Sequence, residues 1–223
     1  MKKILFIILI LLSSNVLAHM DHYKKYNKIE MDIFRNGELI GYNYYFFTRK
    51  GDETIVTNQI KFSVKLLGAT IFQVEGYGEE KYVKDQLISY ESKTLQNDKE
   101  KFVNLIFDEN KFNIRGSSYS GEASINNIVG NWWNHKILQT DSQISPISGS
   151  IKKQVVTFVG KEKIEQYGKV YNVDHFTLKS KDMNLPKDKR LDFNFWYDQE
   201  SGQIIRVSYS RMGNWEYRLK NFE

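Results

Sequence analysis

The chain has 223 residues, no cysteine and a formal net charge of +5, of which Lys2 and Lys3 supply two. That length buries a sizeable core without cross-links, and the lack of cysteine excludes both disulfides and a lipidated cysteine. The remaining charge is spread along the chain with no long block of one sign, which argues against nucleic acid as a partner.

Met1-Lys2-Lys3 is a short positive segment, Ile4 to Leu12 is an unbroken apolar run, and Ser13-Ser14-Asn15 leads into Val16-Leu17-Ala18. Charge, apolar run and small-residue exit are the parts of a secretory signal peptide. Residues 1–18 are therefore expected to be removed after Ala18, leaving 19–223 as a single periplasmic or secreted domain. A membrane-spanning helix needs roughly 20 apolar residues, which neither this run nor any later one reaches. Cleavage after Ala18 would make His19 the first residue. Its α-amine and imidazole, with the imidazole of His22, form a nitrogen set that suits Cu(II); the alternative is a solvated terminus that holds no metal.

With 14 Tyr, 14 Phe, 4 Trp and only 2 Pro, the composition suits pleated surfaces and not disorder. Ile29, Met31 and Ile33 alternate with Glu30 and Asp32, a period of two. Asn36-Gly37 then marks a two-residue hairpin turn, because both central positions of that turn need positive φ. Leu39 to Thr48 reads as the return strand, and Lys50-Gly51-Asp52 turns the chain again. Thr54 to Leu67 places Ile60, Phe62, Val64 and Leu66 on one face. Gly68 interrupts, and Thr70 to Tyr77, Lys81 to Glu91, Lys101 to Phe107 and Lys111 to Arg115 read as further strands. The charges Glu79, Glu80, Lys81, Lys84 and Asp85 fall close together.

Residues 116–150 lack the alternation. They are rich in Ser, Gly and Asn, hold Trp132-Trp133-Asn134-His135, and are expected to form a short helix or irregular segment near 124–138. Alternation returns at Gln154 to Val159 and Lys169 to Lys179; the Lys/Glu-rich stretch Lys152 to Lys169 reads as a solvated strand pair. Leu191 to Tyr197, a turn from Asp198 to Gly202, Gln203 to Ser210 and Trp215 to Leu219 complete the chain. The fold class is mostly β: an antiparallel meander of about ten to twelve strands, since short connections join antiparallel neighbours. The central break favours a curved sheet or half-barrel clasping that segment over a sandwich. Charges interrupting both faces disfavour a membrane barrel.

A family resemblance rests on Asp32-Ile33-Phe34-Arg35-Asn36-Gly37-Glu38-Leu39-Ile40-Gly41, followed in compatible order by Val64-Lys65-Leu66-Leu67-Gly68, Trp133-Asn134, Phe195-Trp196-Tyr197-Asp198 and Tyr217-Arg218-Leu219. This pattern resembles the DUF6134 type of exported bacterial proteins of unknown function. The resemblance implies a half-barrel similar to periplasmic lipoprotein and lipid carriers, and it implies no reaction and no catalytic residues.

No Gly-x-Ser-x-Gly, His-Glu-x-x-His or phosphate loop is present, so neither an enzyme nor a cofactor is expected. His175 lies inside an alternating strand, where a hydrogen-bonded structural histidine is the usual case. Trp132, Trp133, Asn134 and His135 can line a ligand pocket, with aromatic area and a few orienting polar groups; alternatively the tryptophans plug the end of the sheet. Trp196 and Tyr197 are further candidates, although ordinary turn chemistry also accounts for their neighbourhood. The leading expectation is a carrier for an apolar or amphipathic small molecule or lipid. The alternative is a structural or interaction protein of the cell envelope, its concave face filled by its own side chains.

Overall fold

The computed structural model describes residues 23–223. The leader, His19 and His22 lie outside the described residues. The strands are β1 Lys28–Arg35, β2 Glu38–Lys50, β3 Glu53–Leu66, β4 Ala69–Val83, β5 Gln86–Gln96, β6 Lys99–Asp108, β7 Lys111–Gly116, β8 Ser120–Ser124, β9 Ile128–Val129, β10 Ser142–Ile144, β11 Ile151–Gln166, β12 Lys169–Ser180, β13 Asp192–Asp198, β14 Gln203–Ser210 and β15 Asn214–Phe222. They form one curved, open sheet in the order β8-β7-β6-β5-β4-β3-β2-β1-β15-β14-β13-β12-β11-β10-β9.

The expected β-rich, curved, unclosed sheet is present, but it has fifteen strands and not ten to twelve. The additional ones, β8, β9 and β10, lie in the stretch without alternation. Strands of five, two and three residues are too short to write a period of two into the sequence. The uniformly antiparallel expectation also needs correction, because β9 and β10 pair in parallel. Their connection loops through a single 3-10 turn, His135–Leu138, which is the only helical structure in the segment 124–138.

The first and last strands meet in the middle of the sheet. β1 pairs with β15 on one side and with β2 on the other, and the backbone of Lys28 exchanges hydrogen bonds with that of Glu223. One arm, β2 to β8, extends from this centre in chain order. The other runs from β15 back to β9. Ile29, Met31 and Ile33 are buried as their alternation requires. Asn36 and Gly37 adopt φ of 50° and 83°, the left-handed pair that the hairpin turn demands.

Two strand boundaries differ from the expectation. β4 runs unbroken through Gly76 and Gly78 to Val83, and its turn lies at Lys84-Asp85. Glycine reads as an interruption in sequence, but inside this sheet it makes room: a Cβ on Gly78 would come within 3.1 Å of the Tyr90 hydroxyl. The stretch 152–169 is largely solvated as expected, but it is not a strand pair: it holds one strand, β11, and the turn into β12. The far end of β11 lies against the rest of the sheet. There the Gln166 amide donates to the carbonyls of Ile205 and Leu219, and Tyr167 donates to Asp32.

Candidate functional site: a strap across the concave face

Residues 125–150 form a strap that crosses the concave face and touches both arms. Against the first arm, the Trp132 backbone N–H donates to the Tyr45 hydroxyl at 3.1 Å. The Pro146 carbonyl accepts from Tyr90 at 2.9 Å and Ser92 at 2.7 Å. Against the second arm, the Trp132 ring meets Phe193, Phe195 and Tyr217 edge-on. Within the strap, Gly130 packs closely on β10: an added Cβ would sit 1.9 Å from Oε1 of Gln143. That glutamine donates to Gln154, which in turn donates to the carbonyls of Ile137 and Thr140. The backbone groups of an irregular buried segment thereby find partners, as burial requires.

The polar centre is Glu80 on β4, only 2% exposed. Its Oε1 accepts from Asn131 Nδ2 at 2.6 Å and from Trp133 Nε1 at 2.8 Å, and its Oε2 accepts from the Tyr82 hydroxyl at 2.6 Å. Burial pushes the carboxyl above its ordinary value of 4.5, while the donors from Tyr82, Trp133 and Asn131 pull it back. Burial likewise raises Tyr45, Tyr82 and Tyr90, which stay neutral donors and acceptors around it. Two strap side chains thus converge on one buried carboxylate of the sheet.

The expected site residues divide between two faces. Trp133 is 1% exposed, its ring edge-on to Tyr23, Phe47 and Tyr82. Asn134 is buried, and its Oδ1 accepts from the Lys136 N–H to cap the 3-10 turn. His135 meets the Tyr23 hydroxyl through both its backbone N–H, at 3.0 Å, and its Nδ1, at 2.7 Å. Tyr197 joins this group, its ring centroid 5.3 Å from that of His135. Trp196, the adjacent residue, points to the opposite face of β13, since successive strand residues alternate. There it stacks on His175 at 4.7 Å, with Arg206 over its ring at 5.7 Å. His175 is hydrogen-bonded on both nitrogens, to Asn194 at 2.9 Å and Glu162 at 2.7 Å. Asp198 closes the turn after β13 by accepting from the Ser201 N–H and hydroxyl.

The sequence reading missed Glu80. It shares a face with Val74 and Tyr82, both buried, and an even-numbered register carried through Gly76 and Gly78 would have found it. Two shallow depressions, of about 440 and 310 Å³, lie around Tyr77 and Lys93 on β4 and β5, away from the tryptophans. Among the described residues, no group of three His, Cys, Asp or Glu is placed to hold a metal ion, and no helix is long and apolar enough to cross a membrane.

A family model described as a domain of unknown function (DUF6134) matches residues 31–220. No curated protein is significantly similar. Among solved structures, the beta-barrel-like protein of the domain of unknown function DUF1849 from Brucella abortus is similar over 88% of this chain and 96% of its own, with a TM-score of 0.61 at 10% identity. That likeness is one of fold alone. A DUF1329 family protein from Desulfovibrio piger covers 92% of this chain and 88% of its own, but its TM-score of 0.25, at 10% identity, carries no weight.

Proposed function

We propose that this chain, which belongs to the DUF6134 family, is a non-enzymatic extracytoplasmic protein of the cell envelope that works through its surface as an interaction protein. The observation that carries this reading is Trp133, buried in the concave face and bonded to Glu80. A carrier needs that face for its ligand, whereas here the chain's own aromatics, Trp132 and Trp133 among them, pack into it. The leader expected over residues 1–18 supports export. The likeness to the DUF1849 protein supports the architecture and, because fold does not imply function, nothing about a ligand.

A second reading is favoured by the make-up of the seat. Tyr45, Glu80, Tyr90 and Ser92 meet the strap through hydrogen bonds on an otherwise apolar wall. Such a wall would suit an amphipathic ligand if the strap withdrew, which makes a carrier with a displaceable strap the alternative. Native mass spectrometry of the full chain, expressed with its leader and purified from a membrane-rich lysate, separates the two. The interaction reading expects the bare polypeptide mass starting at His19. A co-purifying apolar molecule, lost with Trp133 fluorescence changes on delipidation, would overturn it in favour of the carrier.

A further inference from the structure

We propose that one rim of the sheet docks on an anionic membrane surface, with two apolar hairpin tips entering the headgroup layer. Beside the longer connections 117–119 and 181–191, antiparallel pairing brings four tight turns to this rim: Asn36-Gly37 between β1 and β2, Leu67-Gly68 between β3 and β4, Asn97-Asp98 between β5 and β6, and Arg211-Met212-Gly213 between β14 and β15. Each has a non-glycine residue in the left-handed region, with φ of 50° at Asn36 and Asn97 and 51° at Leu67 and Met212. Asparagine is well suited to that conformation and large apolar residues are not. Yet Leu67 is 100% exposed and Met212 88% exposed, so neither side chain gains packing in return. Leu66 has the same character. It lies in phase with the buried Phe62 and Val64, but β3 carries it past the end of the core and leaves it 60% exposed.

The β1–β2 and β14–β15 turns are tied together, with Arg35 donating to the Met212 carbonyl, Asn36 N–H to the Asn214 carbonyl at 2.7 Å, and Asn214 N–H to Asn36 Oδ1 at 2.8 Å. Four strand spacings separate the two apolar tips, about 20 Å along the sheet.

Charge identifies the occupant. Lys65 adjoins Leu66, Arg211 adjoins Met212 and Arg35 holds it; the other two tight turns carry one acid each, Glu38 and Asp98, with Arg35 and Lys99 close to them, and the 181–191 connection adds Lys181, Lys187, Lys189 and Arg190 against Asp182 and Asp188. On the opposite rim the turns set Lys50 beside Asp52 and Lys84 beside Asp85 and add Glu109 and Glu200, so no cationic excess gathers there, and its aromatic tip, Tyr167, is folded down onto Asp32. A protein interface has a contiguous apolar centre depleted in charge, whereas separate apolar points between cations suit a bilayer, where side chains insert locally and Lys and Arg meet anionic headgroups.

The test is flotation of the purified leaderless chain with vesicles of phosphatidylcholine alone or mixed with phosphatidylglycerol. The chain should float with the anionic vesicles, less so as salt is raised. The double variant Leu67→Asn, Met212→Asn places at both tips the residue that Asn36 and Asn97 already occupy in like turns, so it should fold while binding falls about ten-fold or more. Absence of wild-type flotation, or undiminished binding by the folded double variant, would overturn the proposal. So would a dimer, seen by gel filtration without vesicle binding and dissolved by the same substitutions, which would give the rim to a second copy of the chain.

Discussion

The indole N–H of Trp133 donates to Oε1 of Glu80 at 2.8 Å, across 53 positions of sequence. This bond joins the one segment without strand periodicity to a carboxylate that the sheet has buried completely. An unpartnered buried carboxylate is strongly unfavourable, so the two residues depend on each other. The strap supplies donors to Glu80, and Glu80 fixes where the strap lies.

Substitution of Trp133 tests that dependence in two steps. Trp133→Phe keeps a ring against Tyr23, Phe47 and Tyr82 but withdraws one of the two donors to Oε1. The expected loss is about 1–3 kcal/mol, the penalty for under-satisfying a buried acceptor. Trp133→Ala also opens a cavity, and the loss rises to about 3–5 kcal/mol. Denaturant unfolding should show a lower midpoint at unchanged slope. A midpoint equal to the wild type's for Trp133→Ala would mean that the strap is not part of the cooperative core.

The raised pKa of Glu80 sets the sign of a pH effect. The folded protein holds a proton that the unfolded chain releases above its ordinary pKa of 4.5. The stabilisation from that proton is fully present below 4.5 and is lost as pH rises through the folded-state value. In Glu80→Gln the amide oxygen still accepts from Asn131 and Trp133, its NH2 faces the Tyr82 oxygen, and no charge develops. Melting temperatures measured from pH 4 upward should therefore diverge, with the variant gaining on the wild type as pH increases. A constant gap across the range would show that folding does not shift the Glu80 carboxyl.

Gly130 is a steric prediction. Its missing Cβ is the space that Oε1 of Gln143 occupies, and Gln143 is one link of the chain to Gln154 and the Ile137 carbonyl. Gly130→Ala should cost about 1–3 kcal/mol through overpacking. Hydrogen exchange should quicken in the strap first, before the strands of the sheet. Uniform quickening across all strands would show that the strap does not open on its own.

These positions explain what was legible in the sequence. Asn36-Gly37 declared its hairpin because both left-handed angles are written in residue type. Ile29, Met31 and Ile33 declared their face because alternation is a local property. Glu80 did not, because Gly76 and Gly78 masked the register that puts it on the buried face, and the strap donors that partner it lie 51 and 53 positions away. Trp196 and Tyr197 show the same limit from the other side. Adjacent in sequence, they were candidates for one site, and the pleat sends them to opposite faces, with only Tyr197 reaching His135. β9 and β10 were illegible because two and three residues carry no period.

Leu67 offers a last test, independent of any membrane. Its φ of 51° is a conformation that an L-residue adopts at a penalty, and its side chain is fully exposed, so the folded state gains no packing from it. Asn tolerates that conformation better, and Leu67→Asn should stabilise the isolated protein by on the order of 1 kcal/mol. For a chain of this size that corresponds to a melting temperature higher by about 2–4 °C. A stabilising substitution so readily available implies that the apolar tip is kept for a reason other than stability, the usual trade at a working surface. A drop in melting temperature would instead mean that Leu67 packs against the protein in solution, and that the β3–β4 turn is held by that contact.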